Sequence, residues 1–242
     1  MKENVNNPLI SKLEEFQRNY NTRLNKEQRE KLLDVLFMDL AKYIIYGGYF
    51  HCSERYDLYI TSVEFYYHEE QDGFENRIVD PIMYHRNKKW KTKTEQYKPA
   101  YFKVGTIYPH QSGIDITFEK EGEYRASALI RSFKIINQKK GGEIVEDDRS
   151  TLVYDYLFDG YSIEGSDLEW IPLNDKSGEV HHYPRKNVNV YRAVNHVFIN
   201  EGLTEGKHFR YHDGEYVKML AIKESDREWR FVKSGSRFDK PY

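Results

Sequence analysis

The stretch Leu58-Tyr59-Ile60-Thr61-Ser62-Val63-Glu64-Phe65-Tyr66-Tyr67-His68 sets a carboxylate inside a run of β-branched and aromatic residues. Such residues favour the pleated, half-buried surface of a sheet, so the run reads as a strand. Alternation puts Ile60, Ser62, Glu64 and Tyr66 on one side of it. At a sheet edge that side is solvated and Glu64 is unremarkable. In the interior, a buried carboxylate needs a partner or a shifted pKa, which makes Glu64 the first candidate for chemistry.

The rest of the chain narrows the class. At 242 residues it is long enough for one substantial core. Its net charge of -2 neither favours nor excludes a polyanionic partner. The single cysteine, Cys52, rules out an intramolecular disulfide framework and, with a polar N-terminus, fits a cytoplasmic setting. No run is apolar enough to cross a membrane.

Asn7-Pro8 followed by Leu9, Ile10, Leu13 and Phe16 predicts a capped amphipathic helix. Asn25 with Gln28 predicts a capping box opening a second helix, through Leu32, Leu33, Leu36, Leu40 and Ile44 to Gly47-Gly48. Residues 1–48 are thus read as helices packing on the core, and 49–242 as the main domain. There, strands are expected at Tyr49–Cys52, Leu58–His68, Tyr101–Val104, Gly113–Glu119, Ala126–Ile135, Tyr216–Ile222 and Trp229–Val232. Glu69–Val79, Gly105–Ser112 and Lys139–Arg149 read as connections, and Ser150–Leu173 is ambiguous between helix and strand. Asn187 or Asn189 is placed to cap a helix through Ala193, Val194, Val197 and Phe198 to Asn200. The class is α+β, a single domain with a curved antiparallel sheet flanked by helices.

There is no Gly-rich phosphate loop and no Gly-x-Ser-x-Gly elbow, and one cysteine cannot form a thiolate metal cage. His181-His182 lies in a polar, Pro-flanked stretch and reads as solvated, so no metal and no cofactor are expected. What remains is an ordered set: Val63-Glu64-Phe65-Tyr66, Asp80 to His85, Gly105-Thr106-Ile107-Tyr108, Ser112-Gly113 and Leu129-Ile130-Arg131-Ser132. With Asp39-Leu40-Ala41 before it and Trp229 to Ser236 after it, this order resembles the alkyladenine (3-methyladenine) DNA glycosylase family.

The resemblance implies a monofunctional DNA glycosylase, a base-excision DNA repair hydrolase. Glu64 and Arg131 would be catalytic, jointly holding a water that attacks the sugar carbon of an extruded base. Tyr66 and His85 would sandwich that base, with Tyr108 and His110 as further walls. The basic run Arg86, Lys88, Lys89, Trp90 and Lys91 would track phosphates; its plainer reading is a solvated loop. The partner implied is DNA, single-stranded or damaged, met by a monomer. The alternative is a non-catalytic module on the same fold that binds a nucleotide, a modified base or single-stranded nucleic acid. A plainer one still is a structural protein in which Glu64 and Arg131 form a buried ion pair. The chain departs from the family where a tyrosine wedge precedes the turn glycine: Ser112 stands there, and a serine cannot unstack a base step. If the basic run tracks phosphates, replacing Lys88, Lys89 and Lys91 with alanine lowers both oligonucleotide affinity and its salt slope, by roughly one counterion per lost contact. Unchanged binding assigns that run to solvent.

Overall fold

Two long antiparallel strands form the spine of the computed structural model: β2 (Tyr56–Glu69) and β7 (Tyr124–Asn137), paired from Tyr56↔Asn137 to Glu69↔Tyr124. The structure describes residues 7–52, 55–70, 76–80, 83, 85, 88–89, 96–110, 112–158, 168–174, 177–185, 190–193, 203–210, 216–222 and 227–241.

Helix α1 (Pro8–Asn19) begins as its sequence requires, with Asn7 accepting the Leu9 N–H at 3.0 Å and Pro8 in the first turn, where a missing N–H costs nothing. Helix α2 (Lys26–Tyr46) opens on a complete capping box: Asn25 accepts from Gln28 N at 2.9 Å and Gln28 answers Asn25 N at 3.2 Å. It ends at Gly47, whose N–H bonds Tyr43 O at 2.7 Å. Leu9, Leu13 and Phe16 of α1 and Leu33, Phe37, Leu40 and Ile44 of α2 are all buried.

In chain order the strands are β1 (Gly48–Cys52), β2, β3 (Lys88–Lys89), β4 (Gln96–Tyr97), β5 (Ile107–His110), β6 (Gly113–Thr117), β7, β8 (Glu143–Asp147), β9 (Leu168–Pro172), β10 (Val180–Tyr183), β11 (Val190–Ala193), β12 (Leu203–Arg210), β13 (Tyr216–Ile222) and β14 (Arg230–Lys233). Helix α3 (Leu152–Phe158) lies between β8 and β9. The main sheet runs β10-β14-β2-β7-β6-β5, with β1 on β2, β9 on β1 and β8 on β7; it is antiparallel and curls into a half-barrel. The strands β11, β13 and β12 form a second small sheet, described by its backbone alone. The α+β class with a curved antiparallel sheet is therefore observed.

Four local expectations are corrected. The helix expected through Ala193 is not formed where it can be seen: Val190–Ala193 is strand β11, paired with β13, while Asn187, Asn189 and residues 194–200 lie outside the described residues. The charged connection Lys139–Arg149 contains β8, which pairs with β7 and exposes Glu143 and Glu146. Gly105–Ser112 contains β5. Tyr101–Val104 is not a strand, because Phe102 N–H donates to the Glu119 carboxylate at 2.8 Å rather than to a ladder. Within the ambiguous Ser150–Leu173 stretch the described residues form α3 and β9, and 159–167 lie outside the described residues.

The helices cover one face of the spine. Val63, Phe65 and Tyr67 pair with Ile130, Ala128 and Ala126, and Phe37 stacks on Phe65 with ring centroids 4.4 Å apart. A buried ion pair fixes α2 to the end of β2: Arg29 Nε meets Glu69 Oε1 at 2.8 Å, while Tyr20 OH and Ile78 N donate to the same carboxylate. Breaking such a pair from one side strands a buried charge, at about 3–5 kcal/mol. Arg29→Met should lower unfolding stability in urea by that order, and Arg29→Met with Glu69→Leu should recover part of it. A loss below about 1 kcal/mol would instead be the behaviour of a solvated pair.

Candidate functional site

Alternation sends Ser62, Glu64, Tyr66 and His68 to the face of β2 away from the helices, opposite Arg125, Ser127 and Leu129 of β7. One row crosses the sheet as Asp115, Leu129, Glu64 and Arg230. This second face is polar and yet enclosed. Glu64 is 0% exposed, so the solvated-edge alternative is excluded.

Glu64 is answered by the residues the sequence proposed. Arg131 Nη2 lies 2.7 Å from Glu64 Oε2, and Tyr66 OH donates to the same oxygen at 2.9 Å while accepting from Arg131 Nη2 at 3.3 Å. Arg131 Nη1 reaches Ser150 Oγ at 3.4 Å, and that hydroxyl donates to Ser112 O at 2.6 Å. The Ser112-Gly113 turn is thereby tied to the catalytic candidates. Gly113 has φ 140° and lies against Ser150, where an added Cβ would come within 2.8 Å of the Ser150 carbonyl oxygen.

Tyr66 is closed in by groups that its own sequence neighbourhood does not suggest. The Arg185 guanidinium lies 4.9 Å from the Tyr66 ring centre, held by Asp80 Oδ2 at 2.6 Å and donating to Phe65 O at 3.3 Å. Met83 and Leu129 complete the enclosure. Burial first, and the Glu64 charge second, hold the Tyr66 hydroxyl well above its ordinary 10.0. For Arg185, burial pulls its pKa down, but the charge and hydrogen bond of Asp80 together with Tyr66 and Glu64 leave it raised.

His85 belongs to the same face but not to the Glu64 cluster. Its Nδ1 contacts Glu119 Oε1, and its ring meets Phe102 and Tyr108 at centroid distances of 5.2 and 5.5 Å. Tyr108 in turn stacks on His110 at 5.8 Å, and His110 Nε2 bonds Asp115 Oδ1 at 3.0 Å. Glu64, Arg131 and Tyr66 thus converge directly, whereas His85, Tyr108 and His110 form a neighbouring aromatic group. Asp115 and Glu64, which flank Leu129, are two strand spacings apart, about 10 Å. Arg86, Trp90 and Lys91 lie outside the described residues, and Lys88 and Lys89 are described by backbone alone, as β3. His181 and His182 are exposed strand residues paired with Asp239 and Glu228; no group of three or more metal-ligating side chains occurs among the described residues.

Sequence reasoning missed Asp115, Glu119 and Arg185 as parts of the site, and gave Asp80, named in its motif, no role. Asp115 and Glu119 carried the signal that marked Glu64, a carboxylate at alternate positions among Ile and Phe in Gly-Ile-Asp-Ile-Thr-Phe-Glu. Arg185, between Pro184 and Lys186, carried none. No helix among the described residues is long and apolar enough to cross a membrane. No protein-family model, curated protein or solved structure matches the chain.

Tyr20, Tyr66, Tyr67 and Tyr124 are all held above their ordinary value, by burial first. Because the fold favours their neutral form, their contribution is complete below about pH 10 and is lost as the unfolded chain begins to ionise. Unfolding midpoints measured from neutral pH to about pH 11 should fall in the alkaline range. In Tyr66→Phe that fall should be shallower, by up to about 1.4 kcal/mol per pH unit. An identical slope in the variant would mean that Tyr66 ionises normally in the fold.

Proposed function

We propose that this protein is a DNA glycosylase-like hydrolase of the alkyladenine DNA glycosylase type, cleaving the N-glycosidic bond of a damaged or modified purine. The observation that carries the reading is the convergence of Glu64, Arg131 and Tyr66 from two adjacent strands on one enclosed polar face. A carboxylate and a guanidinium in contact, shielded from bulk water, can together hold a single water beside them and stabilise charge as it develops. Glu64 takes the proton from that water, its oxygen bonds to the sugar carbon, and the base departs with the electrons of the broken carbon–nitrogen bond. A purine already positively charged by alkylation leaves neutral, so the step asks least of the protein with such substrates. The absence of a wedge at Ser112 directs the activity to single strands, mismatches and damaged pairs, where unstacking is cheap.

A second reading is a non-catalytic module that binds a nucleotide, a modified base or single-stranded nucleic acid on this face. It is favoured by one observation: Glu64 is already engaged by Arg131, and Tyr66 is enclosed by Arg185 and Met83. Single-stranded and duplex oligonucleotides carrying alkylated or deaminated purines separate the two when abasic sites and freed base are assayed. Glycosylase activity should appear first on single strands. Glu64→Gln should reduce it by about 10²-fold or more while sparing binding, since the amide keeps the shape but cannot take the proton. Release that persists in Glu64→Gln removes Glu64 as the base. Binding without release by the unaltered protein selects the module.

A further inference from the structure

A cleft of about 690 Å³ opens between α2 and the strands β14 and β10 at one end of the main sheet. Phe231 of β14 pairs with Val63, so the cleft lies on the helix side, opposite the face of Glu64, and the hydrolytic mechanism does not use it. Its volume is that of a small-molecule site, roughly 300–1,000 Å³. Trp229 and Phe231 form the floor, buried against Phe37 and Phe65. The wall belongs to α2, where Glu30, Asp34 and Met38 recur every four residues and so share one stripe, with Val35 beside it. Val35 is 66% exposed, more than any other large hydrophobic side chain among the described residues.

Charge gives this cleft a sign. Its lining carries three carboxylates, Glu30, Asp34 and Glu228, against the one guanidinium of Arg227. Arg227 lies over the Trp229 ring, 4.4 Å from its centre, and meets Glu30 at 3.7 Å; Lys26 reaches the same carboxylate at 3.9 Å. Glu228 lies 3.0 Å from His182 Nε2, and a neutral imidazole leaves the carboxylate charge uncancelled. Asp34 accepts the Trp229 indole N–H at 3.0 Å through Oδ1, and no cation among the described residues pairs with it. Negative charge at the rim of an apolar cleft concentrates cations and repels anions. The complement is a molecule that joins an apolar body, which covers Val35 and Met38, to an ammonium group, whose three N–H donors suit carboxylates.

We propose that this cleft is a binding site for small amphipathic amines, the apolar body lying against Val35 and Met38 over the aromatic floor and the ammonium set beside the Asp34 carboxylate. Arg227 stays on Trp229 and needs no displacement, because the open acceptor is Asp34.

The test uses 4-phenylbutylamine, 4-phenylbutan-1-ol and 4-phenylbutyrate with the full chain at neutral pH and low salt, binding being followed by ligand-observed NMR. The three share one apolar body and differ in charge, so the comparison isolates the rim. The amine should bind about fivefold or more tightly than the alcohol, and the carboxylate least tightly of all. Asp34→Asn keeps an acceptor for the Trp229 indole and should remove most of the amine's advantage. Val35→Asn exchanges residues of similar helix propensity and should weaken amine and alcohol alike. Both positions are exposed, so neither variant opens the core. Equal affinities, a preference for the carboxylate, no binding of any, or an amine advantage that survives Asp34→Asn overturns the proposal. The hydrolytic reading would still be judged by base release alone.

Discussion

Strand β2 is buried on both faces, and the rest of the molecule is arranged around that fact. Its helix-side residues pack against α1 and α2, as Phe37 on Phe65 shows, with Glu69 at its end held by Arg29. Its other face carries Glu64, Tyr66 and His68, which water cannot reach, so every partner must come from the protein. The chain supplies them as arginines from outside β2: Arg131 to Glu64, Arg125 to Glu70 and Glu119, and Arg185 to Asp80. Buried ion pairs of this kind are poor sources of stability, because desolvation offsets most of the attraction and apolar replacements often do as well. Together with Glu64 they give this part of the molecule charges that are already fixed in place and need no reorganisation when further charge appears beside them.

The ladder between β2 and β7 is regular except at one place. Leu58 through Ile60 and Val63 through Glu69 keep one register, but Ser62 pairs with Ser132 instead of Arg131. The irregularity is braced by a 2.8 Å hydrogen bond between the Thr61 and Ser132 hydroxyls. Local departures of this kind bend a strand and re-aim the side chains beside them. Here the affected residue is Arg131, which is drawn onto Glu64, whereas Arg230, in register with Glu64, has its guanidinium bonded to the carbonyls of Phe238 and Lys240. Of Arg131 and Arg230, the one beside the ladder irregularity makes the 2.7 Å contact.

Glu64 was legible because a two-residue period needs only a few residues to show itself, and a carboxylate among Val, Phe and Tyr stands out against it. The caps of α1 and α2 were legible for the same local reason. The misreadings arise where a local pattern fits two structures or where a distant group decides. Four residues around Ala193 satisfy helical and strand spacing equally, and pairing with β13 settles them as strand. Tyr101 to Val104 has strand composition, but a carboxylate 17 residues away takes the Phe102 N–H. Strand β8, Glu-Ile-Val-Glu-Asp, lacks the apolar alternation that marks a half-buried strand, and pairing with β7 makes it one. Arg185 reaches Asp80 across 105 residues, a contact that only the folded sheet creates.

The two halves of the polar face are physically continuous. From His85 the contacts run through Glu119, Arg125 and Glu70 to His68, whose Nε2 lies 4.0 Å from Glu70 and whose Nδ1 accepts the Asp80 N–H at 3.0 Å. Asp80 passes the sequence to Arg185, Tyr66, Glu64 and Arg131. Inside a low-dielectric region such chains polarise one another, so the strength of each link depends on its neighbours. Moving one charge in the aromatic half therefore alters the field at Glu64 without touching it.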